Sequence, residues 1–203
     1  TDIKPNRLIA AQDAALEFIK NQKPGTQIGI VAFSGFAELI QTPTTDPEVL
    51  TDAVEALITG QRTAVGSGIM KSIDAISEID PAVPASWSAT SGKPKPTPVA
   101  KGAYAPDIIV VLTDGASNAG VAPLDAAQQA VDRGIRVYTI GFGTATGSEM
   151  PICAPQLQGS EPAGAPQFGG GRGFGGGGGG GFRRGIDEVT LKKIAAMTDG
   201  EYY

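Results

Sequence analysis

Ile108-Ile109-Val110-Val111-Leu112 runs directly into Thr113-Asp114-Gly115, and this stretch decides the fold. A continuous apolar, β-branched run is what a strand covered on both sheet faces requires. In an open α/β sheet, ligands bind just beyond the carboxyl ends of such strands. Asp114 falls there, and Gly115 lets the backbone turn sharply behind it. Asp114 is therefore a candidate site residue. A second reading, an aspartate that merely forms the turn, stays open at this point.

Outward from that strand, helices and strands alternate. From Arg7 to about Asn21, Leu8, Ala11, Ala15 and Phe18 recur at spacings of three and four, which marks an amphipathic helix, with Asn6 as its N-cap. Gln27–Phe33 is strand-like, Ser34-Gly35 a two-residue turn, and Phe36–Thr42 the antiparallel return, ended by Pro43. Thr45-Asp46-Pro47-Glu48 opens a helix that reaches about Ile58. A loop over Thr59–Val65 leads into a helix over Gly66–Ile79, with Ile69, Ile73 and Ile76 on one stripe. Pro123–Asp132 is helical, with Gly134 as its stop. Arg136–Ile140 is a strand, Asp187–Met197 the last helix, and a last strand starts at Glu201. This alternation predicts an α/β fold with a parallel-dominated central sheet flanked by helices.

A chain of 203 residues, 41% hydrophobic and 18% charged, suits one domain over 1–203 with a real core. The net charge of −5 and the lack of a basic cluster argue against a nucleic-acid partner. There is no histidine. That removes imidazole bases, Ser-His-Asp triads and histidine-ligated zinc, so a metal would be held by oxygen, which favours Mg²⁺, Mn²⁺ or Ca²⁺. The single cysteine, Cys153, excludes an internal disulfide and reads as an ordinary loop thiol. No apolar run approaches the roughly 18 residues of a membrane helix, so membrane attachment is expected only through segments outside this chain.

Two insertions read as flexible. One, at about 81–106, is rich in Pro, Ser and Lys, and its Trp87 reads as a local packing anchor. The other spans about 144–185, where 11 of the 29 glycines fall between Phe168 and Phe182, too dense a run to pack a core. It is a spacer, a partner-binding lid or a Gly/Arg/Phe tract for RNA, and three arginines (Arg172, Arg183, Arg184) are too few for the last. Because it leaves the carboxyl end of a strand, it is expected to hang over the same face as Asp114.

The second half of the candidate site is Arg62-Thr63-Ala64-Val65-Gly66, just before a helix. The Thr63 hydroxyl is a neutral oxygen ligand suited to a hard cation, or else a helix cap. Taken together and in this order, Val31-Ala32-Phe33-Ser34-Gly35, Arg62-Thr63-Ala64-Val65-Gly66 and Leu112-Thr113-Asp114-Gly115-Ala116-Ser117-Asn118 resemble a bacterial von Willebrand factor A (VWA) domain. The closing Asp187-Glu188…Leu191-Lys192-Lys193-Ile194-Ala195…Asp199-Gly200-Glu201-Tyr202-Tyr203 resembles the end of such domains in membrane-anchored envelope proteins, including those of aerotolerance operons. The resemblance implies a Rossmann-like VWA fold. It also implies a metal-ion-dependent adhesion site (MIDAS) for Mg²⁺ or Mn²⁺, in which Thr63 matches the family's threonine and Asp114 its second aspartate. Ser34, Gly35, Arg62, Gly115, Ser117 and Asn118 would form the ligand-binding rim.

The family's remaining metal ligands, an Asp-x-Ser-x-Ser motif after the first strand, occur nowhere in this sequence. In relatives that motif immediately precedes the stretch matched by Thr1–Leu8. The expectation is that the chain starts just past it and lacks the first strand, which in this fold lies between the strands at Gln27–Phe33 and Ile108–Leu112.

The function expected is a non-enzymatic, metal-dependent protein-interaction module that binds an Asp or Glu side chain of a partner protein. Its expected setting is the extracytoplasmic side of a bacterial envelope. One alternative is a metal-free scaffold of an envelope complex. Another is a nucleotide-binding α/β enzyme, suggested by Gly141-Phe142-Gly143-Thr144-Ala145-Thr146-Gly147 and by Gly66-Ser67-Gly68. The first lacks the G-x-G-x-x-G spacing and the second lacks a P-loop lysine.

Overall fold

The computed structural model describes residues 7–60, 62–92, 94–142, 148–149, 183–184 and 186–203. Asn6 as a cap, Cys153 and the glycine run lie outside them. In chain order the elements are α1 (Arg7–Lys20), β1 (Ile28–Phe33), β2 (Ala37–Thr44), α2 (Pro47–Glu55), α3 (Val65–Ile79), β3 (Ile108–Thr113), α4 (Pro123–Val131), β4 (Arg136–Gly141), β5 (Ser148–Glu149), β6 (Arg183–Arg184) and α5 (Glu188–Met197).

Local chemistry explains the boundaries. Asp46 accepts the backbone N–H groups of Glu48 and Val49, with Pro47 in the first helical turn, so α2 starts where donors would otherwise be orphaned. Asp187 does the same for Thr190 in α5. After α4, the Gly134 N–H bonds Val131 and the Ile135 N–H bonds Ala130. Gly134 sits at φ +70°, a left-handed stop that a side chain would oppose.

The sheet is built in two parts. β3 and β4 run parallel in unbroken register from Ile108↔Arg136 to Thr113↔Gly141. Tyr202 bridges Thr139 in parallel on the far edge of β4, where Thr139 and Gly141 donate to the Glu201 and Tyr203 carbonyls. β1 and β2 form an antiparallel hairpin, and β5 and β6 a separate two-residue ladder. Among the described residues no ladder joins β1 to β3; helix α3 packs against β1, β2 and β3.

Two expectations are corrected. The β1–β2 connection has three residues, not two: Phe33 pairs with Ala37, and the Ser34 N–H donates to the Phe36 carbonyl. The return strand then runs through Pro43 to Thr44, which an edge strand tolerates. Nor is β3 equally covered on both faces. Ile109, Val111 and Thr113 are buried while Val110 and Leu112 are half-buried. The physical reason is that α3, α4 and α5 share one layer with Ile109 and Val111, whereas α1 packs chiefly on α2.

The core follows from helix periodicity. Ile69 and Ile73 are fully buried and Ile76 nearly so, packed with Ala126, Ala127, Ala130, Val137, Leu191 and Ile194. The described residues of the expected spacer at 81–106 carry no helix or strand, yet α4 and the turn after it fasten it. Gln129 donates to the Trp87 carbonyl and accepts its N–H, both at 2.8 Å. Arg133, only 3% exposed, donates to the carbonyls of Pro84, Ala85 and Gln129. Asp132 pairs with Lys95 at 3.5 Å.

Arg133→Ala strands three carbonyls and is expected to cost about 3 kcal/mol in urea unfolding, with faster proteolysis within 81–106 as the local readout. Asp107, just before β3, is held above the usual carboxylate range, first by burial and then by the adjoining Asp80 carboxyl. A raised folded value favours the protonated acid, so its stabilisation is full below the unfolded value near 4 and lost as pH rises through the folded one. Asp107→Asn is thus expected to raise Tm at pH 7, with the gain over wild type vanishing below about pH 4.

Candidate functional site

The carboxyl end of β3 delivers Thr113, buried, and then Asp114, exposed. The turn that follows is stabilised from within, because the Thr113 hydroxyl donates to the Gly115 carbonyl at 3.2 Å. Opposite it lies the Arg62-Thr63 segment that enters α3. Nothing in the sequence makes two loops 50 residues apart meet; hydrogen bonds do.

Asn118 is the clamp. Its side-chain Oδ1 accepts the Thr63 N–H at 3.0 Å, and its own N–H donates to the Thr63 carbonyl at 2.8 Å. The Ala119 N–H and the Ser117 hydroxyl donate to that same carbonyl at 3.2 and 3.3 Å. None of these bonds uses the Thr63 hydroxyl. Residue Ala64 holds the N-cap position of α3, which has no side-chain cap bond, so the helix-cap reading of Thr63 is overturned. The hydroxyl instead faces the other loop: a Cβ placed on Gly115 would lie 3.4 Å from Thr63 Oγ1. The two loops therefore lie in van der Waals reach of each other at this point.

Close packing fixes the same corner from below. A Cβ on Gly66 would come within 2.2 Å of the Val121 carbonyl oxygen, and one on Gly68 within 2.8 Å of the Phe33 ring. Gly141, at the end of β4, is enclosed by Ile186 and Tyr202. Gly66, Gly68 and Gly141, which belong to the stretches that suggested phosphate loops, serve backbone and side-chain packing; Gly143 and Gly147 lie outside the described residues.

Of the expected site residues, Thr63, Gly115, Ser117 and Asn118 are thus brought together directly, with Asp114 between the last strand residue and that cluster. Arg62 is exposed beside Thr63. Ser34 and Gly35 sit in the β1–β2 turn, the latter beside Ser67 and Val121 in the neighbouring groove. The clamping role of Asn118 was not readable in the sequence, since it depends on its partner 55 residues away. A hydroxyl and a carboxylate are the oxygen donors that a hard cation takes. Among the described residues no group of three or more His, Cys, Asp or Glu converges.

Comparison with known proteins agrees with this architecture. The profile of the von Willebrand factor type A domain matches residues 1–117. A UPF0353 protein of Mycolicibacterium paratuberculosis is 33% identical over 153 residues, which cover 72% of this chain and 41% of that protein. This chain therefore spans less than half the length of such relatives. Two solved structures share the fold. An aerotolerance-related membrane protein from Bacteroides fragilis has TM-score 0.65 at 22% identity, covering 99% of this chain and 82% of its own. BatB from Bacteroides thetaiotaomicron has TM-score 0.64 at 21% identity, covering 99% and 80%.

Asn118→Ala removes the side-chain half of the clamp and is expected to cost about 1 kcal/mol. Amide hydrogen exchange should accelerate at 62–64 and 116–119 while β3 and β4 stay protected.

Proposed function

The chain belongs to the von Willebrand factor A family, and from that premise we propose that it is a metal-dependent protein-interaction module. The observation that carries this reading is the clamp: Asn118 and its neighbours hold the Thr63 loop against the Asp114-Gly115 turn at the carboxyl end of β3, and leave the Thr63 hydroxyl outside those bonds. Thr63 and Asp114 would hold Mg²⁺ or Mn²⁺. Bound there, the ion offers a coordination position to a carboxylate from a partner protein. Hydroxyls and few carboxylates under-neutralise a divalent ion, so an acidic side chain from outside completes the shell and couples metal to partner.

Arg62, Ser117, Asn118, Ser34 and Gly35 form the rim against which that partner lies. Membership of the von Willebrand factor A family supports an interaction role over an enzymatic one. The absence of Asp-x-Ser-x-Ser from the sequence favours one second reading, a scaffold that keeps the fold without metal. The membrane protein from Bacteroides fragilis that shares the fold supports a bacterial envelope location, and the extracytoplasmic side is part of the same proposal. No helix among the described residues is long and apolar enough to cross a membrane.

A calorimetric Mn²⁺ titration of the full-length protein is expected to show saturable one-site binding, lost in Asp114→Ala at unchanged Tm. No heat from a folded wild-type protein would move the assignment to the metal-free scaffold.

A further inference from the structure

Beside the clamped loops runs a groove of about 300 Å³, between the β1–β2 turn, the first three turns of α3 and the loop before α4. Phe36, Met70 and Val121 supply its apolar surface, and Lys71 and Asp74 its charges. Phe36 is 43% exposed and Val121 39%. Both are large apolar groups held in water by backbone geometry: Phe36 by the three-residue turn, Val121 by its N–H bond to the Ser67 hydroxyl at 3.2 Å. Phe36 and Val121 thus stand exposed around one shallow depression.

The charges say what fits. Asp74 already accepts the Ser86 N–H at 2.8 Å, so its carboxylate is engaged with the 81–106 segment. Lys71 has no carboxylate partner among the described residues. The cleft thus offers apolar area for one or two side chains and one unmatched cation, at the same end of the molecule as Thr63 and Asp114.

We propose that this groove receives an acidic–apolar segment of a partner protein, with an aliphatic or aromatic side chain against Phe36, Met70 and Val121 and a carboxylate on Lys71. The proposal deepens the interaction role of the neighbouring face by naming the partner's chemistry, and it rests on that reading for where the partner lies. Apolar anchors in such a groove carry most of the affinity, while the rim charge selects the partner and its register.

The test starts from short random peptides displayed on phage and selected on the whole chain in Mn²⁺. Fluorescence polarisation then measures the synthetic peptides against wild type, Phe36→Ser, Val121→Ser, Lys71→Glu, Lys71→Arg and Asp114→Ala, with and without EDTA. All the groove positions substituted are at least partly exposed, and thermal melts verify that each variant is folded. The expected peptides pair Asp or Glu with Leu, Ile, Phe or Met. They bind Phe36→Ser or Val121→Ser about tenfold more weakly, lose affinity in Lys71→Glu and keep it in Lys71→Arg. Peptides without that pairing, no selected peptide at all, or losses under twofold in the groove variants overturn the proposal. So does self-association of the chain that Phe36→Ser abolishes, which would make the occupant a second copy. Loss in EDTA and in Asp114→Ala reports on the metal alone. Groove-dependent binding that survives EDTA sinks the metal reading and leaves the groove; metal-dependent binding indifferent to Phe36 and Lys71 does the reverse.

Discussion

Helix α3 is the element on which the rest of the structure depends. Two strand pairs share no ladder among the described residues, and α3 packs on both. One stripe of it, Ile69, Ile73 and Ile76, is sealed into the core with β3 and α4. Gly68 brings its first turn against Phe33 at the end of β1. Among the described residues, hydrophobic burial along this one helix is therefore what connects the two strand pairs.

The candidate site inherits its geometry from the same helix. Thr63 enters α3 and Gly66 presses its first turn under the Val121 carbonyl, so the loop before the helix is positioned before any ligand arrives. Asn118 then ties that loop to the end of β3 from the other side. A site made of two loops on a rigid helix and a rigid strand is preorganised, and less ordering cost remains to be met on binding. The groove beside it uses the next turn of α3, through Met70 and Lys71, so the proposed metal site and the proposed partner groove share one end of the molecule.

The opposite end is arranged by a different logic. Arg133 and Gln129 reach across to backbone carbonyls of a segment with no secondary structure of its own, so that segment's polar backbone is satisfied by α4 instead of a ladder. Its composition of Pro, Ser and Lys describes a spacer; its anchorage is invisible without the residues that face it. The same holds for Asp107 and Asp80, two carboxylates 27 positions apart whose proximity no local pattern announces.

What the sequence determined by itself was most of what depends on near neighbours, the length of the β1–β2 turn excepted. The apolar run at 108–112, the isoleucine stripe of α3, the Asp46-Pro47 start and the Gly134 stop each express a local rule, and each appears within a residue or two of its expected place. Thr63 and Asp114 were legible as loop oxygens at the ends of elements, which is where α/β sheets put ligands. Tertiary structure alone decided that Thr63 is not a cap, that Asn118 clamps it, that Val110 and Leu112 stay half-covered, and that Phe36 stands at a groove. Each of those outcomes turns on a partner dozens of residues distant, and periodicity and capping rules carry no information about which distant surfaces will meet.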